Sequence, residues 1–159
     1  MRLSEQIAQH SRQIHQGPSF TGSDLKMQLS DVDWQLAIRQ VYGLNSIAVL
    51  VFHINYYVSA VVKVLEGGPL EASDKYSFDM LPIDSQEAWK QLLNKLWTDA
   101  DTFARLVEKM PETQLKENFL EGKYGNYYRN LTGLLEHTNY HLGQIALLKK
   151  ILLQMKENE

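Results

Sequence analysis

The stretch SIAVLVFHINYYVSAVVKVL, residues 46–65, decides the fold that we predict for this chain. It predicts one helix, because Ser46 can cap its start and the following EGGPL ends it through glycines and a proline. At about 100° per residue, Leu50 shares one face of this helix with His53. Apolar side chains also lie on the opposite face, at Val51, Val58 and Val62. A helix that is apolar on nearly all sides is covered on most of them, which predicts a homodimer that packs through this helix.

Three further long helices are predicted from their hydrophobic spacing and from their start and stop residues. The third principal helix opens at the D-x-x-E pair Asp84 and Glu87, and Asn126 caps the last one. A brief helix over residues 31–40 follows the capping-box-like SDVD that begins at Ser30. The other long helices are predicted over residues 4–16, 84–110 and 127 onward.

These helices predict an all-α fold, because no segment shows a convincing strand pattern. The connection over residues 67–83 is too long for a tight helical hairpin, so it can run along the helices and permit a crossover topology. At 159 residues the chain is large enough to bury a core of its own. We therefore predict a four-helix bundle in a single domain, residues 1–159.

Composition and charge limit the function classes. The chain is 44% apolar and 22% charged, which is ordinary for a globular protein. Its net charge is −3, its isoelectric point is near 5.9, and its 16 lysines and arginines are scattered. Nucleic-acid binding requires clustered positive charge, so we expect no nucleic-acid partner.

The chain contains no cysteine. Disulfides, thiolate ligands and a cysteine nucleophile are therefore excluded, and any metal must be held by nitrogen or oxygen. The first seventeen residues are polar and lack the apolar core of a signal peptide. The apolar run over residues 46–62 is interrupted by His53, Asn55 and Ser59, so we expect no membrane span and a cytoplasmic protein.

Two histidines, His137 and His141, lie four residues apart in LLEHTNYHLGQIALLKK, residues 134–150. This spacing places both on one face of the last predicted helix, and His141 lies within about 40° of Leu134 and Ile145. One interpretation is a neutral pair held by hydrogen bonds beside the core. The other is a metal site, because histidines at i and i+4 direct one nitrogen each at a single ion.

A metal at this face needs a third ligand from another helix, and His53 is the candidate. It lies midway along the second principal helix, on the face that it shares with Leu50 and Tyr57. We therefore predict a divalent-metal site formed by His53, His137 and His141, with no further catalytic residue. Three nitrogens with an open position are typical of catalytic sites, and that position can hold water or bind a substrate.

Polar residues near these histidines have two interpretations. Asn130 and Gln144 lie on the same side as His137, and they are either hydrogen-bond partners of a ligand histidine or ordinary polar edge residues. Tyr57 and Tyr140 are either proton donors or packing residues. Each of these four remains a candidate for the surroundings of the metal site.

The two other histidines and the remaining motifs indicate no second site. His10 and His15 are five residues apart, about 140° around a helix, so they cannot chelate one ion and are interpreted as polar or interface residues. The chain has no glycine-rich phosphate loop. It also lacks the Glu-x-x-His motifs that a di-iron bundle requires.

With these residues in place, the chain resembles the DinB/YfiT-like family of small bacterial proteins. The resemblance spans most of the chain and depends on the histidine in SIAVLVFHINYY and on the terminal EHTNYHLGQIALLKK. It implies a four-helix bundle with an up-down-down-up course, a long crossover between its second and third helices, and frequent dimers. It also implies that His53, His137 and His141 bind zinc or nickel.

The resemblance implies several kinds of reaction. Some relatives transfer a low-molecular-weight thiol such as bacillithiol or mycothiol, while others resemble isomerases or hydrolases. We therefore expect a metal-dependent thiol transferase, in which the sulfur arrives with the cosubstrate. A metal-dependent hydrolase that uses a metal-bound water is one alternative. A non-catalytic, dimeric helical bundle that acts as a binding module is the other.

Overall fold

The computed structural model describes residues 1–157, and within them it contains α-helices, short 3-10 turns and no sheet. The all-α class is therefore confirmed for this part of the chain. An isolated antiparallel bridge joins Asn118 to Asn126. The helices are α1 (Leu3–Gln16), α2 (Leu25–Leu29), α3 (Trp34–Ile38), α4 (Ile47–Leu65), α5 (Gln86–Lys109) and α6 (Tyr127–Glu157).

The helices that carry the histidines begin where the sequence predicts. Ser46 caps α4, with its hydroxyl accepting the Val49 N–H at 3.3 Å. Asn126 caps α6, with its side-chain oxygen accepting the Arg129 N–H at 2.9 Å. Both caps satisfy a backbone donor that the helix itself leaves without a partner.

Two other predicted starts are wrong by one to three residues. Helix α3 begins after Asp33, whose carboxylate accepts the Leu36 N–H at 2.8 Å, and Ser30 instead donates to a carbonyl of the preceding turn. Helix α5 is capped by Ser85 rather than by Asp84. Each motif offers more than one capping side chain, and the sequence pattern alone does not select between them. The short helix α2 was not predicted at all.

The four long helices surround one core. Helix α1 packs against α5 and α6, and α4 packs against the same two helices, so the contacts close a ring. One cluster of buried side chains draws on all four long helices and on α2 and α3. Its largest member is Trp89, which is fully buried and whose indole N–H donates to the Val32 carbonyl at 2.8 Å.

Helix α4 is covered largely by its own chain. Eleven of its nineteen residues are buried, including Val51, Val58 and Val62 on the side away from His53. The apolar side chains on all sides of this helix therefore do not require a second subunit to cover them, and the homodimer stays a prediction.

The same helix bears on the expectation of no membrane span, which stays a prediction. Among the described residues, Ile47–Leu65 is long and apolar enough to cross a membrane, with a mean hydropathy of 1.7. The polar residues within it do not lower its hydropathy below that of a spanning helix. However, 61% of the segment is buried inside the molecule, which is the environment of a core helix.

Helix α1 buries a histidine that the sequence analysis interpreted as a polar or interface residue. His15 is 2% exposed, and its Nδ1–H donates to the Ser11 carbonyl at 2.8 Å. Its Nε2 atom is buried without a hydrogen-bond partner. Burial lowers the pKa of His15, because the charged imidazolium would lose its hydration there. The folded protein therefore keeps this ring neutral at a pH where the unfolded chain binds a proton.

We expect the free energy of unfolding to fall as the pH falls below about 6.5, the ordinary value for histidine. His15→Leu should flatten this dependence, since the unfolded state then takes up one proton fewer, a difference of at most about 1.4 kcal/mol per pH unit. Urea denaturation from about pH 7.5 to about pH 5 measures both slopes. Gln9→Leu, an exposed change on the same helix, is the control. Equal slopes for the wild type and His15→Leu would contradict this assignment.

Candidate metal centre

Three histidines from two helices meet between α4 and α6. His137 Nε2 lies 3.0 Å from His53 Nε2 and 3.1 Å from His141 Nε2. The three ligand atoms lie within 4.8 Å of one another. His137 and His141 are adjacent because four residues make about one turn of α6, while the packing of α4 against α6 brings in His53.

The connection between α4 and α5 orients His53. Its Nδ1–H donates to the Ser77 carbonyl at 3.1 Å, which leaves Nε2 of the neutral ring with a lone pair aimed at the other histidines. Phe78 stacks on the same imidazole, with ring centroids 3.8 Å apart and planes 8° from parallel. Neither residue is predicted from the sequence, because Ser77 acts through a backbone carbonyl and both lie in an irregular segment.

Helix α6 orients His141 in the same way. Its Nδ1–H donates to Gln144 Oε1 at 2.7 Å, so its Nε2 also presents a lone pair to the centre. Of the two interpretations left open for Gln144, the structure shows the hydrogen bond to a histidine. His137 differs, since its Nδ1 is buried without a hydrogen-bond partner and its Nε2 faces the two lone pairs.

All three imidazoles favour the neutral form. Burial and the neighbouring His141 and His53 lower the pKa of His137 to about 4. Burial also lowers the pKa of His53 and of His141, against the opposing effect of their hydrogen bonds to Ser77 and Gln144. Neutral imidazole is the form that ligates metals, so the cluster has the protonation state that a metal site requires.

The donor set fits a divalent cation. One proton on His137 Nε2 can satisfy only one of the two lone pairs that face it, whereas a cation can accept all three. Two nitrogens that are each about 2.0–2.1 Å from an ion and 3.0–3.1 Å apart subtend about 90–100° at that ion. Three protein nitrogens fill fewer than the four or more positions around a divalent cation, so at least one position remains available to water or a substrate.

A cavity of about 380 Å³ opens beside His137. Tyr57 forms part of its wall and meets the rings of His53 and His137 edge to face, with centroids 5.2 and 5.1 Å away. Its hydroxyl donates to Asp74 Oδ1 at 2.6 Å. Burial and this hydrogen bond raise the pKa of Tyr57, so the phenol keeps its proton. The volume is in the range of small-molecule sites.

The other residues singled out from the sequence are placed differently. The Asn130 amide lines the same cavity but donates to the carbonyls of Tyr124 and Asn126 rather than to a histidine. Tyr140 contacts the edge of His141 and is 64% exposed. Of these two polar candidates, neither holds a histidine by a hydrogen bond.

Comparison of the chain with protein-family models, with curated protein sequences and with solved structures gives no match. The resemblance described above therefore stays a prediction based on the sequence motifs, and the geometry of the site stands independently of it.

For the metal-free protein, we expect His137 to titrate with a midpoint of about 4, well below an ordinary histidine. In His141→Gln this midpoint should rise, because a neighbour that can carry positive charge is removed. Two-dimensional NMR of the histidine ring nitrogens, recorded on chelator-treated protein across the pH range, measures both values. A wild-type midpoint near 6.5 would contradict the burial and repulsion described here.

Proposed function

We propose that this protein binds one divalent cation, zinc or nickel, through His53, His137 and His141, and that it is an enzyme that uses this cation. The observation that carries the proposal is the convergence of three Nε2 atoms, with His137 within 3.1 Å of both partners. Imidazole nitrogen suits zinc and nickel equally, so the ligands do not select between them.

The arrangement favours catalysis over a purely structural role. Structural zinc sites are closed by four protein ligands, whereas this centre has three histidines and an adjoining cavity. A bound divalent cation would stabilise an anionic nucleophile at neutral pH. The chain itself orients His53 through Ser77 and His141 through Gln144, and both hydrogen bonds hold the ligand nitrogens in place.

We propose a low-molecular-weight thiol as the cosubstrate and thiol transfer as the reaction. The chain has no cysteine, so a sulfur nucleophile must come from a second molecule. The cavity beside His137 is large enough for such a molecule or for its electrophilic partner. The family resemblance supplies the choice of a thiol.

The same proposal extends to the architecture. The closed ring of contacts among α1, α5, α4 and α6 supports a four-helix bundle. We propose an up-down-down-up course, with the connection between α4 and α5 as the crossover, and a dimeric, cytoplasmic protein. This connection is held against α4 by the hydrogen bonds of Tyr57 and His53 to Asp74 and Ser77.

Elemental analysis of untagged protein tests the metal assignment. We expect about one zinc or nickel ion per chain in the wild type and loss of most of it in His141→Ala, since two nitrogens bind far more weakly than three. Gln144→Leu should keep the ion but weaken its affinity by about tenfold or more, because His141 loses its orienting partner.

The control is His10→Ala, which removes an exposed histidine on α1 and should retain the full metal content. Circular dichroism establishes that each variant is folded. Equal metal in the wild type and His141→Ala would refute the ligand set. A wild type without stoichiometric metal would favour the non-catalytic binding module.

The reaction is tested with metal-loaded protein, a small thiol and a thiol-reactive electrophile. We expect thiol consumption above the uncatalysed rate for the wild type and a fall of at least about tenfold for His141→Ala. Thiol loss is followed by a colorimetric thiol assay, with chelator-treated protein as the control. Turnover of ester or amide substrates without any thiol would instead identify the hydrolase alternative.

A further inference from the structure

The cavity beside His137 has one cationic wall. Arg129, Gly133 and His137 follow one another at four-residue intervals along α6, so they lie in a row on one face of that helix. All three line the cavity, together with apolar and aromatic side chains from both helices and from the loop before α6. Those other lining residues are Tyr57, Val61, Tyr124, Asn130 and Leu134.

Gly133 leaves room for the arginine to lie over the helix. A Cβ atom at this position would lie 3.0 Å from Arg129 Nη1, closer than ordinary packing allows. The guanidinium thus reaches the level of residue 133, one turn before His137. Four residues of α-helix advance by about 6 Å, so a ligand of moderate length can contact the guanidinium and the histidine centre together.

The charges beside the two adjoining cavities differ in sign. Arg129 pairs with Glu136 at 3.4 Å, and both side chains are about two-thirds exposed, so this pair is weak and a ligand can replace it at small cost. The neighbouring cavity, of about 370 Å³, shares Tyr57 with the first but is lined by Asp74. An anion is therefore favoured in the first cavity and disfavoured in the second.

We propose that Arg129 is the anion-binding residue of the substrate site, and that the substrate is a small carboxylate with an apolar body. This inference rests on the proposed function, because it takes the histidine centre as the reacting end of the site. The carboxylate pairs with the guanidinium, whose planar donors match its two oxygens. The apolar body packs on Val61 and Leu134, with Tyr57 and Tyr124 on either side.

The test compares 3-phenylpropionate with its neutral amide, 3-phenylpropionamide, by ligand-observed NMR titration of the full chain with and without zinc. We expect the acid to bind about threefold to tenfold more tightly than the amide. Arg129→Met should abolish that preference while it leaves the zinc content unchanged. Gly133→Leu, which adds a side chain to the cavity lining and displaces the Arg129 guanidinium, should weaken binding of both compounds.

Arg105→Met is the matched control, because Arg105 is an exposed arginine on α5 that pairs with Asp101. It should keep the full preference for the acid. Equal binding of acid and amide to the wild type, or an undiminished preference in Arg129→Met, would overturn the inference. Retained zinc with no acid preference leaves the proposed function intact. Acid preference in a protein that binds neither zinc nor nickel overturns the metal assignment and supports the role of Arg129 alone.

Discussion

The contact of three neutral imidazole nitrogens is the constraint on which the functional part of this structure depends. Rings this close cannot all be charged, and burial further disfavours the imidazolium form of each. In the neutral cluster the ring nitrogens face one another, and one N–H can donate to only one of the two lone pairs that face it. One nitrogen therefore lacks a hydrogen-bond donor. A cation at the centre of the cluster would stabilise such an arrangement, which would account for three polar rings in the contact between two helices.

The surrounding structure holds the rings in that orientation from outside. Ser77 and Gln144 each accept the Nδ1–H of one histidine, so two of the three tautomers follow from groups that lie beyond the cluster. Phe78 covers one face of His53, and Tyr57 stands at the edges of two rings. His137, which lines the cavity, is different, because its Nδ1 is buried without a hydrogen-bond partner.

The two ends of the cavity beside His137 differ in chemistry. Its histidine end can hold a cation, while one turn away along α6 a guanidinium lies over a glycine. The apolar side chains between them can pack against the body of a small molecule. The carboxylate of Asp74 accepts a hydrogen bond from Tyr57 and lines the neighbouring cavity. Tyr57 lines both cavities, so it lies between the cavity that contains Arg129 and the cavity that contains Asp74. The proposed anion-binding residue and the histidine centre thus lie on the same face of α6.

The sequence alone specifies the helical class, the three clustered histidines and, to within a residue, the bounds of α4 and the start of α6. Hydrophobic periodicity and capping residues are local features of the sequence. The four-residue spacing of His137 and His141 also lies within one helix, so all of these features can be recognised without knowledge of the tertiary structure. Tertiary structure decided what depends on contacts between distant segments. These are the capping choices at α3 and α5, the burial of His15, the orientation of His53 by a loop carbonyl, and the cavity that Gly133 leaves open. Packing between segments selects among local options of similar free energy, and no local pattern contains that information.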